Sequence, residues 1–144
     1  MLPSTPVFGD MSSVGLLCLV AAFFFTAGIL FSDGGAIEVE SNNPDDEISK
    51  AAIRRHMQKI AGMFGQGDFS LPMFIHDSIP PGVEVMKRLK DQIVYTTDST
   101  ARGTQVRITT SNPKALAAIH EFLCFQIKDH RTGDPLLVQP NPSP

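Results

Sequence analysis

Histidine and methionine are the side chains of this sequence best equipped for chemistry. Four histidines, His56, His76, His120 and His130, are joined by Met57, Met63, Met73 and Met86. Imidazole binds copper in either oxidation state and a soft thioether favours the reduced ion, so the mixture suits a copper site, with haem as the other cofactor to consider. "PMFIH" sets Met73 and His76 three apart on a Pro-anchored loop, where both would reach one ion. His120 and Cys124 stand at i and i+4 on a C-terminal helix, near enough to share a ligand. The candidate metal set is therefore His76, Met73, His56 and His120. Ordinary packing competes with it, because Met57 and Met86 belong to apolar stripes in which Met fills gaps. His120 and Cys124 likewise flank the apolar face of their helix instead of occupying its centre.

A second cluster closes the chain's last helix. In "KDHRTGD", Asp129, His130, Arg131 and Asp134 read first as a structural clasp that caps the helix and locks the tail, and second as a ligand site. Gln126 and His130 fall toward the middle of the buried face, where an unpaired polar group costs about 1–3 kcal/mol, so both require partners. Hydrolysis needs a nucleophile with a base, or paired carboxylates. Asp68, His76 and Asp77 lie on connecting loops, but no G-x-S-x-G, H-E-x-x-H, phosphate-loop or dinucleotide pattern is present. The glycines of "GMFGQGDF" follow a helix, not a strand, which removes phosphate-loop geometry. A small enzyme centred on His76, Asp77 and His130 ranks behind binding and metal handling, and no catalytic residue is assigned.

These residues need a scaffold, and 144 residues supply one compact domain beside an N-terminal segment. All 12 Lys and Arg lie at or after Lys50, and 15 acids leave a net charge of −3. Without clustered positive charge to neutralise phosphates, nucleic acid is excluded as a partner. Cys18 and Cys124 form no CxxC motif, and an intramolecular disulfide between an apolar leader and a C-terminal helix is not expected.

From Ser12 to Phe31 the chain carries no charge, enough for a helix across a hydrocarbon core of roughly 30 Å. Residues 1–11 hold no Lys or Arg, so neither a standard signal peptide nor a membrane orientation is written there. A competing pattern begins inside the same stretch. "TAGILFS", "DGG" and "AIEVE" form two strand-like runs around a glycine turn, with Ile37 and Val39 alternating against Glu38 and Glu40. That leaves Val14–Ala27 as an apolar leader of signal-peptide length. One reading anchors the domain at the inner membrane, another exports it to the periplasm, and a lesser one leaves a buried soluble hairpin with a cytosolic helix. In every case the N-terminal segment provides any membrane contact.

Downstream, "NPDDE" reads as a helix start with Asn43 as N-cap and Pro44 in the first turn. Ile53, Met57, Ile60 and Phe64 then form one apolar stripe that Gly65 and Gly67 end. A second helix is expected near Pro81, with Val85, Met86, Leu89 and Ile93 on one side. "IVYTTDSTARGTQVRITTS" reads as a second hairpin. Asn112-Pro113 repeats the helix start, and Ala115, Leu116, Ile119, Phe122, Leu123 and Ile127 mark the buried face of a helix ending near His130. The order predicts an α+β fold of two layers: a four-stranded, mainly antiparallel sheet of two hairpins, covered by about three helices and preceded by the hydrophobic segment. The predicted boundaries are residues 1–28 for the signal or anchor, 29–135 for the domain and 136–144 for a Pro-rich disordered tail.

"DGGAIEVE", "MFGQGDFSLPMFIHDSIPPGVEVMKRL" and "RGTQVRITTSNPKALAAIHEFLCFQIKDHRTGD" together resemble a family of small bacterial exported proteins of unassigned activity. The resemblance runs from Asp33 to Pro135 and brings an N-terminal export segment but no reaction. Members carry His-His-Phe before the first strand, where this chain has Thr26, Ala27 and Gly28, and Arg where it has Cys124. If that His pair ligates metal or haem in relatives, part of the site is missing here. The expected function is an exported or membrane-tethered binding domain with a protein or small-ligand partner. The alternative is a periplasmic copper- or haem-handling protein.

Overall fold

The computed structural model describes residues 24–71 and 78–143. The leader before Phe24 and the Met73/His76/Asp77 loop lie outside the described residues. Four strands, β1 (Phe24–Phe31), β2 (Gly34–Ser41), β3 (Ile93–Ser99) and β4 (Gly103–Thr110), form one antiparallel sheet in the order β1-β2-β4-β3. Three helices whose bounds fall among the described residues accompany it: α1 (Glu47–Gly65), α2 (Val83–Arg88) and α3 (Pro113–Asp129). This is the expected α+β fold. β1, however, begins at Phe24, upstream of the expected domain start at residue 29. Phe24–Phe31 of the uncharged Ser12–Phe31 stretch is therefore strand, and the part before Phe24 lies outside the described residues. No helix of the described residues is long and apolar enough to cross a membrane.

Alternation fixes the layers. Leu30, Val39, Val106, Ile108 and Ile93 point to one face, where they meet Ile53, Met57, Ile60 and Phe64 of α1 and Ile119, Phe122, Leu123 and Ile127 of α3 in one buried core. Phe64 stacks on Phe69 at 4.5 Å between centroids, and Phe122 meets both edge-on at 5.9 Å. Gly35 lets α3 come this close to the sheet, because a Cβ there would stand 2.1 Å from Leu123 Cδ1. Gly82 (φ 83°), at the start of α2, similarly lies against the Ala118 carbonyl of α3.

The two Asn-Pro starts behave differently. Asn112 caps α3, its side chain accepting from Lys114 N at 2.8 Å and Ala115 N at 3.2 Å. Asn43 does not cap α1. It closes a turn by accepting from Asp45 N at 3.0 Å, and the cap is Asp46, which accepts from Ser49 N at 3.0 Å. The acids after Pro44 are better placed to cap than Asn43, because the turn consumes it first. Ile93, expected at the end of the second helix, opens β3 instead, since α2 stops at Arg88 and a single 3-10 turn over Lys90–Gln92 intervenes. α3 ends as expected with His130 as C-cap, but the left-handed residue beyond it is Arg131 (φ 51°), not a glycine. Thr132 N donates to Ile127 O at 3.2 Å and Arg131 N to Lys128 O at 3.3 Å, the paired bonds of a Schellman close.

Candidate interaction site at a sheet edge

The sequence-predicted metal residues are not brought together among the described residues. His120, on α3, points Nε2 at two backbone carbonyls, Phe31 O at 2.8 Å and Gly34 O at 2.9 Å. With a proton on Nε2 it donates to both, so this nitrogen holds the Asp-Gly-Gly corner against α3 and has no lone pair to offer an ion. Arg107 grips the same corner from the opposite face: it donates to Gly35 O at 2.9 Å, pairs with the Asp33 carboxylate and covers the Phe31 ring at 4.5 Å. His56 is buried on α1 with Nε2 unpartnered, and burial followed by the nearby Lys59 pushes its pKa down. Met73 and His76 lie outside the described residues. Among those described, no group of three or more His, Cys, Asp or Glu is arranged to hold a metal ion.

In the last-helix cluster, His130 is exposed, not on the buried face where the helical periodicity put it. Its Nε2 meets Gln126 Oε1 at 3.0 Å, while Gln126 Nε2 is buried without a partner. Asp129 stands exposed in the last turn and Arg131 forms the left-handed close. Asp134 makes the long-range contact: its carboxylate accepts from Gly28 N of β1 at 2.9 Å and from the Thr132 hydroxyl. On the outer sheet face its charge, with that of Glu40, adds to burial in pushing the Glu38 carboxyl up.

The register determines what each sheet edge presents. In an antiparallel pair, hydrogen-bonded and non-bonded positions alternate. Thr110 N donates to Asp33 O at 2.9 Å and Ser41 N to Arg102 O at 2.8 Å, which fixes the β2–β4 phase. Applied to β1, the alternation turns the backbone groups of Phe24, Thr26, Gly28 and Leu30 outward. Gly28 N and Leu30 O have partners. Asp134 takes Gly28 N, Gln139 N donates to Leu30 O at 2.7 Å, and Asn141 Oδ1 accepts from Ser32 Oγ at 2.7 Å just beyond the strand. Within residues 136–143, the expected Pro-rich tail, Gln139 forms a parallel bridge with Phe31.

The other edge is open among the described residues. Thr100 N donates to Gly103 O at 3.1 Å, so Val94, Thr96 and Asp98 bond inward to β4 and the backbone groups of Ile93, Tyr95, Thr97 and Ser99 face away from the sheet. Among the described residues no hydrogen bond reaches those outward groups. Beside them α1 and β3 enclose an open groove of about 430 Å³ lined by Gln58, Ala61, Gly62 and Gly65 of α1 and by Tyr95 and Thr97. The Tyr95 hydroxyl is buried there without a partner, and burial pushes its pKa up. Val94 is 57 % exposed on the outer face. Asp98 is the single charge on the strand.

Sequence reasoning placed β3 but missed the edge. The available signals were a seven-residue run without Pro and with one charge, and small residues on a flank of α1. No family model, curated protein or solved structure matches this chain.

Proposed function

We propose that this is an exported or membrane-tethered binding domain that receives an extended peptide segment along β3. The observation that carries the reading is a difference between the sheet's edges: at β1 Asp134 and Gln139 take Gly28 N and Leu30 O, whereas at β3 no outward backbone group has a hydrogen-bond partner among the described residues. An uncovered edge is a standing template for another strand, and natural sheets usually blunt it with Pro, Lys or a covering loop. β3 has no Pro or Lys. An added strand would pair its backbone with Ile93, Tyr95, Thr97 and Ser99, each bond contributing about 0.5–1.5 kcal/mol net, while the groove over Tyr95 takes alternate side chains.

The metal- and haem-handling alternative draws no comparable support, because His120 Nε2 is engaged by backbone carbonyls. The test of the binding reading uses the full chain and a panel of synthetic strand-forming peptides of alternating Thr and Val, each with a Pro-interrupted control. Tyr95 is the chain's single tyrosine and there is no tryptophan, so intrinsic emission reports the groove alone. Uninterrupted peptides are expected to shift that emission and slow amide exchange at Tyr95 and Thr97. Saturating peptide that leaves both amides exchanging at the free rate refutes the reading.

A further inference from the structure

The dimensions and side-chain order of the open edge fit one occupant in particular. We infer that β3 pairs with β3 of a second copy of this chain, antiparallel about a two-fold axis at Thr96, joining two sheets into one. The inference rests on the reading of β3 as the recognition edge and names its partner.

Backbone phase supports it first. Antiparallel pairing along the whole of Ile93–Ser99 sets Ile93 opposite Ser99 of the second copy and Tyr95 opposite its Thr97. These are the residues whose N–H and C=O groups face outward, so every free group of the edge meets a matching one. Thr96 then faces Thr96 across the axis as a non-hydrogen-bonded pair, the position where side chains come closest and where Thr pairs are favourable. Charge agrees. Asp98 falls opposite Val94, so the strand's single charge never confronts itself, which would be destabilising.

The helix layer agrees. A two-fold axis perpendicular to the sheet leaves both copies' helices on the same face. α1 packs on β4, β3 and β2. Its β3-side flank is therefore the part of that helix nearest the two-fold, and close approach of two helices needs small side chains there. The flank that would meet is Ala61, Gly62 and Gly65. Within one copy Gly62 has no packing reason to be glycine, since a Cβ there meets nothing within 4 Å. Mid-helix glycine costs about 1 kcal/mol against alanine, and a facing α1 supplies the reason to keep it.

Sedimentation velocity of the full chain from micromolar to millimolar concentration tests the pairing, alongside T97P and G62Q. Thr97 N–H has no hydrogen-bond partner among the described residues, so proline there removes the intermolecular donor. Gly62→Gln adds bulk where a single copy has open space. The expected result is a concentration-dependent doubling of mass, with protection of the Tyr95 and Thr97 amides rising in step. Both variants should associate at least about tenfold more weakly, while G62Q resists urea at least as well as the wild type does. A chain that stays monomeric, or a dimer indifferent to G62Q, or one that leaves those amides unprotected, overturns the inference. If the monomer's amides are still slowed by strand peptides, the second copy falls and the binding reading stands; if peptides also fail, both fall.

Discussion

Two glycine-to-alanine changes should have opposite signs, and the difference measures how tightly α3 presses on the sheet. At Gly35 the new methyl carbon would stand 2.1 Å from Leu123 Cδ1 and 2.6 Å from the Ile29 carbonyl oxygen. Comfortable contact between carbons is about 3.5–4.0 Å, so a neighbour must retreat by more than an ångström. Leu123 is fully buried and Ile29 lies in β1 opposite Ala36, so neither retreats freely. Overpacking costs about 1–3 kcal/mol and a loosened ladder bond about 0.5–1.5 kcal/mol. Against this, alanine narrows the unfolded ensemble, a gain of about 0.4–1 kcal/mol. The expected net is a loss of about 2–3 kcal/mol for Gly35→Ala. Gly62→Ala isolates the favourable part: the position is helical and open, and about 1 kcal/mol should be gained. Urea unfolding of dilute full-length protein followed by circular dichroism reads both. Gly35→Ala within about 0.5 kcal/mol of wild type would refute the packing account, as surface changes fall in that range.

Asp134→Ala should leave Gly28 N without its acceptor, speeding exchange of that amide and costing about 1–3 kcal/mol, while the Glu38 carboxyl moves down toward its ordinary range as a repelling charge disappears. His56 gives acid sensitivity. Its folded pKa lies below the ordinary 6.5, so the unfolded chain binds the proton first; stability is full above that pH and is lost as pH falls toward the folded pKa. Urea midpoints on either side of pH 6.5 should show this slope, and His56→Gln should flatten it. Arg131→Gly should raise the urea midpoint by roughly 1 kcal/mol equivalent, because a side chain at φ 51° carries left-handed strain that glycine lacks.

Periodicity carried most of the fold. The stripe Ile53/Met57/Ile60/Phe64 and the alternation around Ile37 and Val39 each needed only their own neighbours, and both hairpins follow from local turn residues. Competition between local devices was harder to read: Asn43 and Asp46 both cap helices well, and only the turn through Pro44 decides between them. The role of His120 was unreadable because its partners, Phe31 O and Gly34 O, are separated from it by most of the domain. Strand order is equally non-local. Nothing in "IVYTTDS" states that it will border one side of the sheet, and nothing in "LLVQPNPSP" states that Gln139 will meet Leu30 and Phe31 at the other.

Those tail contacts bear on how far the inferred pairing would extend. A molecule with a single adhesive margin finishes when it meets its twin, whereas one with two keeps recruiting and grows into a fibre. Were β3 to pair as inferred, Gln139 on Leu30 O and Phe31 would obstruct a further strand at that end of β1, and trimming the chain from Leu136 onward should favour larger particles.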